Sequence, residues 1–180
     1  LNSARISINL SSGQFNDPHL ISYFQELLIE FELDAKHFEL EITEQTIVKD
    51  IKKTIKIMNA LKSIGFTFAI DEFGSGYSSL SYLKKLPVDV IKIDKSLVLS
   101  MEENYVDYHI IISTIDMVRK LGLTVIACGV ETTAQLDSLI QSNCDFIQGD
   151  YFFKAIPEGQ IARFIDQYIS KGYYEKLVES

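Results

Sequence analysis

The chain has 180 residues, 47% of them hydrophobic and 11% aromatic, which suits one domain with a substantial core. The 23% charged fraction and the absence of low-complexity tracts argue against disorder. A formal net charge of −8 disfavours nonspecific binding to nucleic acid or to an anionic membrane, while leaving room for an anionic ligand held locally by a metal. Two cysteines, Cys128 and Cys144, are too few for a disulfide framework and point to a reducing compartment; no run approaches the roughly 18 apolar residues of a membrane span, and no signal peptide is visible.

In chain order, the first β-like run, ISIN, stops at Asn9. Because the chain starts at Leu1 rather than Met and reaches this run almost at once, its amino-terminal end reads as a cut. Asn16-Asp17-Pro18 then opens a helix through about Glu30, with proline suited to the first turn. Asp34 turns the chain into FELEI, which carries Glu41 and stops before Thr43. The stripe Ile47, Ile51, Ile55, Met58 and Leu61 predicts one amphipathic helix from about Ile47 to Ile64, ended by Gly65. FTFAI follows and stops at Asp71-Glu72. A loop with Gly74, Ser75 and Gly76 leads into a short helix ending at Pro87, then VDVIKI carries Lys92 to Asp94. A helix from about Val106 to Leu121, the run TVIA ending at Cys128, a helix capped by Thr133, the run DFI ending at Gln148, and a closing helix from Glu158 to Gly172 complete the pattern.

Alternating strands and amphipathic helices predict an α/β fold around a parallel sheet. A full eight-fold barrel needs about 200 residues or more, so the chain is either an open doubly wound sheet or a TIM-like barrel lacking its first one or two units. A doubly wound sheet concentrates ligand contacts at one switch point. Here nearly every strand ends on a polar side chain, which favours the barrel.

Asn9, Glu41, Asp71 and Glu72 are oxygen donors that would converge at one mouth of such a sheet. Carboxylates that close repel one another unless a cation intervenes, and oxygen donors without histidine select Mg²⁺ or Mn²⁺ over zinc. Lys92 would add a fixed positive charge, and Asp94, two residues on, shares its face and could pair with it or bind metal. Taken singly, each acid is more often a helix cap or loop anchor than a ligand; the repetition favours a site. His19, His37 and His109 show no ligand spacing. The Gly74-Ser75-Gly76 loop could cradle phosphate, but it matches no nucleotide-binding fingerprint.

At IDEFGSGYSSL the chain resembles the EAL-domain cyclic-di-GMP phosphodiesterases of bacteria. INLS (8–11), ELEITE (39–44), LPVDVIKID (86–94), GVET (129–132), Gln148-Gly149, and the trailing Lys154 and Pro157 follow the family's order. The resemblance implies a modified (βα)8 barrel that opens cyclic di-GMP to linear pGpG with two Mg²⁺ or Mn²⁺ ions. Under it Asn9, Glu41, Asp71 and Glu72 match metal ligands, Lys92 the lysine that assists the nucleophilic water, and Asp94 the acid beside it. Glu131 and Gln148 match residues that hold the water network and the far wall, and Glu44 matches the anchor of the Gly-Ser-Gly loop. It also suggests a homodimer, a flanking sensor or GGDEF domain, and a cytoplasmic site with a membrane anchor possible in segments outside the chain.

Three departures stand out. The family's AEGVE reads Ala127-Cys128-Gly129-Val130-Glu131, so a metal-binding glutamate position holds a soft thiol, poor for Mg²⁺. The second aspartate of the family's DD pair is Glu72, and its QGY reads Gln148-Gly149-Asp150. The EAL signature itself belongs to the strand before INLS, outside this chain. The expectation is a single amino-terminally truncated EAL-type domain over 1–180 that binds cyclic di-GMP or serves a regulatory role with impaired catalysis. The alternatives are an active phosphodiesterase and an inert barrel fragment.

Overall fold

The computed structural model describes residues 5–74 and 80–166. Among them lie six strands: β1 (Ile6–Asn9), β2 (Phe38–Thr43), β3 (Thr67–Phe73), β4 (Val90–Ile93), β5 (Thr124–Cys128) and β6 (Phe146–Gln148). All pairings are parallel and the spatial order is the sequence order, β1 to β6. A doubly wound sheet would reverse direction at a switch point; this sheet never does, so the barrel-type winding holds.

The register sorts side chains onto two faces. Ile42, Phe68, Ile70, Ile91, Ile93, Val125 and Ala127 are buried on the outer face, where the helices cover them. The cover comes from α2 (Leu20–Glu30) through Leu20 and Phe24, and from α4 (Ile51–Ile64) through Met58 and Leu61. It continues with α7 (Tyr105–Lys120) through Ile111, Ile115 and Val118, and with α8 (Thr133–Gln141) through Leu139. Each buried valine, leucine, isoleucine, phenylalanine or methionine among these contributes about 1.5–3 kcal/mol by leaving water. The other face carries Asn9, Glu41, Ala69, Asp71, Lys92, Cys128 and Gln148, so the strand periodicity alone separates core from chemistry.

Several helices differ from the sequence expectation. The first begins at Leu20, and a four-residue helix α1 (Ser12–Phe15) precedes it, held by a Ser11–Gln14 capping box. The helix expected over 47–64 is two, α3 (Glu44–Lys49) and α4. Asp50 breaks them apart in an extended conformation, and its carboxylate accepts from the Lys53 N–H at 3.0 Å as an N-cap. The isoleucine stripe runs through the break and hides it. After a short α5 (Leu80–Leu83) comes α6 (Lys95–Ser100), which was not expected and which Asp94 caps. The cap of α8 is Thr132, not Thr133, in a capping box with Gln135. The closing helix α9 covers Glu158–Phe164, and its expected continuation to Gly172 lies outside the described residues, as do residues 75–79 of the Gly-Ser-Gly loop. No helix among the described residues is long and apolar enough to cross a membrane.

Candidate active site at the strand mouth

The strands bring Asn9, Glu41, Asp71, Lys92, Cys128 and Gln148 to their carboxyl ends on one face. Asn9 sits beside Glu41 in register, and Cys128 beside Gln148. Between Glu41 on β2 and Lys92 on β4 runs β3, whose residue at Glu41's level is Ala69, fully buried. A methyl group there lets two long side chains meet over the intervening strand. The Lys92 ammonium donates to both Glu41 oxygens at 2.7 Å, with Glu41 3% and Lys92 8% exposed. Burial, the largest influence, acts to lower the Lys92 pKa. The hydrogen bonds and charge of Glu41, with Asp71 adding, outweigh it and hold the ammonium above its ordinary value. Lys92 is therefore a fixed cation.

On β3 the register slips between Ile70 and Phe73, so three steps on β3 match two on β4. This bulge lets the consecutive acids Asp71 and Glu72 escape strict alternation. Glu72 adopts φ +56, a left-handed conformation unfavourable for a glutamate, and its N–H donates to Asp71 Oδ1 at 2.9 Å. Among the described residues Glu32 and Asn143 share this left-handed conformation, but Glu72 is the one at the strand mouth.

Asp94 does not pair with Lys92. Its carboxylate caps α6, accepting from the Ser96 N–H at 2.8 Å and from the Ser96 hydroxyl. Glu44 is buried at the start of α3 and accepts from the buried Tyr82 hydroxyl, just past the Gly-Ser-Gly loop. Glu131 is exposed in the β5–α8 connection. Sequence reasoning missed its support: the buried Gln135 side chain accepts from the Glu131 and Thr132 N–H groups at 2.8 and 3.1 Å. The T-x-x-Q spacing of a capping box was the available signal.

Gly149 has a role that its neighbour Gln148 obscures. The Gly129 and Val130 N–H groups donate to the Gln148 carbonyl, and the Tyr151 N–H to the Val130 carbonyl. A Cβ on Gly149 would stand 2.1 Å from the Val130 oxygen and 2.3 Å from its nitrogen. Backbone cannot give way as a flexible side chain can, so Gly149→Ala is expected to destabilise by about 2–3 kcal/mol in chemical denaturation. A smaller loss would mean that the two connections separate easily.

Cys128 is half-buried, with its sulfur 3.9 Å from the Gln148 side-chain oxygen. Burial pushes its thiol up to about 12; the Lys92 charge opposes this, and Asp71 and Glu41 add to it. Cys144, whose thiol donates to backbone carbonyls of Val125 and Phe146, is raised by burial to about 11. Both are protonated near neutral pH. Alkylation of the folded protein at about pH 8 should therefore run tens of times slower than in urea, since thiolate controls the rate and the usual thiol lies near 8.5. Equal rates in the two conditions would contradict the neutral thiol.

The donor types at the mouth fit a hard divalent cation at Asn9, Glu41 and Asp71, whereas the Cys128 thiol does not. Among the described residues, no three Asp, Glu, His or Cys side chains gather closely enough to form a metal centre.

The profile of the EAL domain family matches residues 1–155. The chain belongs to the EAL domain family. It is 34% identical over 164 residues to the cyclic di-GMP phosphodiesterase NbdA of Pseudomonas aeruginosa, covering 91% of this chain and 21% of NbdA. It is 35% identical to the bifunctional diguanylate cyclase/cyclic di-GMP phosphodiesterase MucR of the same species, over 87% of this chain and 23% of MucR. A solved MucR phosphodiesterase complex with c-di-GMP superposes with a TM-score of 0.84 at 34% identity, over 87% of this chain and 64% of that one. The Klebsiella pneumoniae BlrP1 calcium/cy-diGMP complex superposes with a TM-score of 0.74 at 31% identity, over 81% of this chain and 37% of that one. The chain thus shares the TIM-like (βα)8 fold of EAL domains and spans about a fifth of the curated relatives NbdA and MucR.

Proposed function

We propose that this EAL domain binds cyclic di-GMP at the strand mouth and is impaired in hydrolysing it, acting as a binding or regulatory module. The observation that carries this reading is Cys128. A neutral, half-buried thiol stands where the family pattern has a carboxylate ligand, and it cannot replace one toward Mg²⁺ or Mn²⁺. Removing one ligand from such a site weakens cation binding and disturbs the position of the attacking water. Glu72 and Asp150 add further departures.

The second reading, an active metal-dependent phosphodiesterase giving pGpG, draws on the intact Lys92–Glu41 pair beside Asn9 and Asp71. In either reading Asn9, Glu41, Asp71 and Glu72 would hold the Mg²⁺ or Mn²⁺. When bound, that cation would neutralise the phosphodiester and acidify a water. Lys92 would stabilise negative charge developing at the phosphate, and Glu131 and Gln148 would orient solvent and ligand. Asp94 supports the Lys92 strand end through its cap, and Glu44 with Tyr82 anchors the neighbouring loop. Residues 1–180 would act as one domain with a flanking sensor or GGDEF domain, in the cytoplasm and as a homodimer.

The test is a cyclic di-GMP binding titration beside a turnover assay with Mg²⁺ and Mn²⁺ on the full-length protein. Tight binding with negligible pGpG is expected. Turnover in the ordinary range of about 1–10³ s⁻¹ would overturn the impaired reading.

A further inference from the structure

The acidic balance of the chain reverses at one place on the mouth. Lys49, Lys52, Lys53 and Lys56 are exposed, and Asp50 is the one acid among residues 49–56. Lys49 lies in the last turn of α3, Lys52 and Lys53 in the first turn of α4, and Lys56 one turn further on. Both helices meet at the rim: α3 opens three residues after Glu41, and its Lys49 donates to Ser12 Oγ at 3.1 Å, three residues after Asn9. Lys53 reaches the Asn16 carbonyl at 3.5 Å. The one acid is already engaged, since Asp50 caps α4.

Two of these lysines stand where they cost helix stability. The amino-terminal turn of a helix favours anions and repels cations. Lys52 and Lys53 occupy that turn in α4, which holds no acid. Lys53 offsets part of that cost by reaching the Asn16 carbonyl, and an incoming anion would offset the rest.

We infer that this lysine rim captures the anionic phosphodiester ligand and steers it into the mouth of a protein that otherwise repels it. The inference rests on the proposed binding of cyclic di-GMP. A single-signed patch beside a cleft raises association rates by about 10–10³-fold, and salt screens the effect.

The experiment measures association and dissociation of cyclic di-GMP with the intact protein at about 50 and 300 mM salt, with thermal melting in parallel. The quadruple variant Lys49→Gln/Lys52→Gln/Lys53→Gln/Lys56→Gln is expected to lose about tenfold in association rate at low salt. Its salt dependence should be shallower, its dissociation within about twofold, and its melting temperature unchanged or slightly higher. The pair Lys52→Gln/Lys56→Gln, which spares the bonds to Ser12 and Asn16, should show part of the same loss. An unchanged association rate with binding preserved overturns steering alone. A loss confined to dissociation makes the lysines contact groups and also overturns it. No binding by the unaltered protein overturns the ligand reading itself.

Discussion

Cys128→Glu is expected to raise Mn²⁺ affinity at least about tenfold and kcat/KM for cyclic di-GMP about 100-fold, equivalent to roughly 2.7 kcal/mol of transition-state stabilisation. The substitution puts a hard carboxylate at the end of β5, beside Gln148 and facing the Lys92 side of the mouth. Calorimetric titration with Mn²⁺ and chromatographic detection of pGpG measure the two effects separately. If neither changes, the thiol is not the defect, and Glu72 becomes the next suspect. Glu72→Asp in the same background is then the decisive addition. It shortens the acid by one methylene and relieves a φ of +56, which aspartate tolerates better than glutamate. Gains that add across two such close sites would themselves be informative, since residues acting on one centre seldom contribute independently.

Lys92→Met should destabilise the domain by about 3–5 kcal/mol, a fall of roughly 6–20 °C in melting temperature for a chain of this size. Glu41 is 3% exposed, and Lys92 binds both of its oxygens. Methionine fills the volume but leaves a buried carboxylate without its counter-charge. That group can escape the penalty only by taking up a proton, so the deficit should be smaller at pH 5 than at pH 8. The double variant Lys92→Met/Glu41→Leu should recover most of the loss, because a buried ion pair replaced whole by apolar groups is often close to neutral. Failure of that recovery would mean that the loss does not come from the unpaired Glu41 carboxylate.

The strand ends were legible because a period of two in short apolar runs is hard to mistake: ISIN, FELEI and VIKI each deliver their polar residue where the structure has it. The break at Asp50 was not legible, since Ile47, Ile51 and Ile55 keep helical spacing through it while the backbone turns. Asp94 is a related case: an acid at a strand end looks the same in the sequence whether it serves the site or caps the next helix, and the Ser96 bonds show that it caps α6. The Glu41–Lys92 pair joins residues 51 apart over the small side chain of Ala69. No local spacing encodes that meeting. The same holds for Gly149, whose glycine is demanded by the Val130 backbone in another connection.

The sheet's sequential order also bears on how the chain comes into being. Register partners lie between 20 residues apart, as for Ile126 and Phe146, and 34 apart, as for Val90 and Thr124. At ribosomal speeds of about 5–20 residues per second, each strand waits only about 1–7 s for its neighbour. Among the described strands, β2 to β6 each pair with the one made just before, so this part of the sheet can grow in step with the emerging chain.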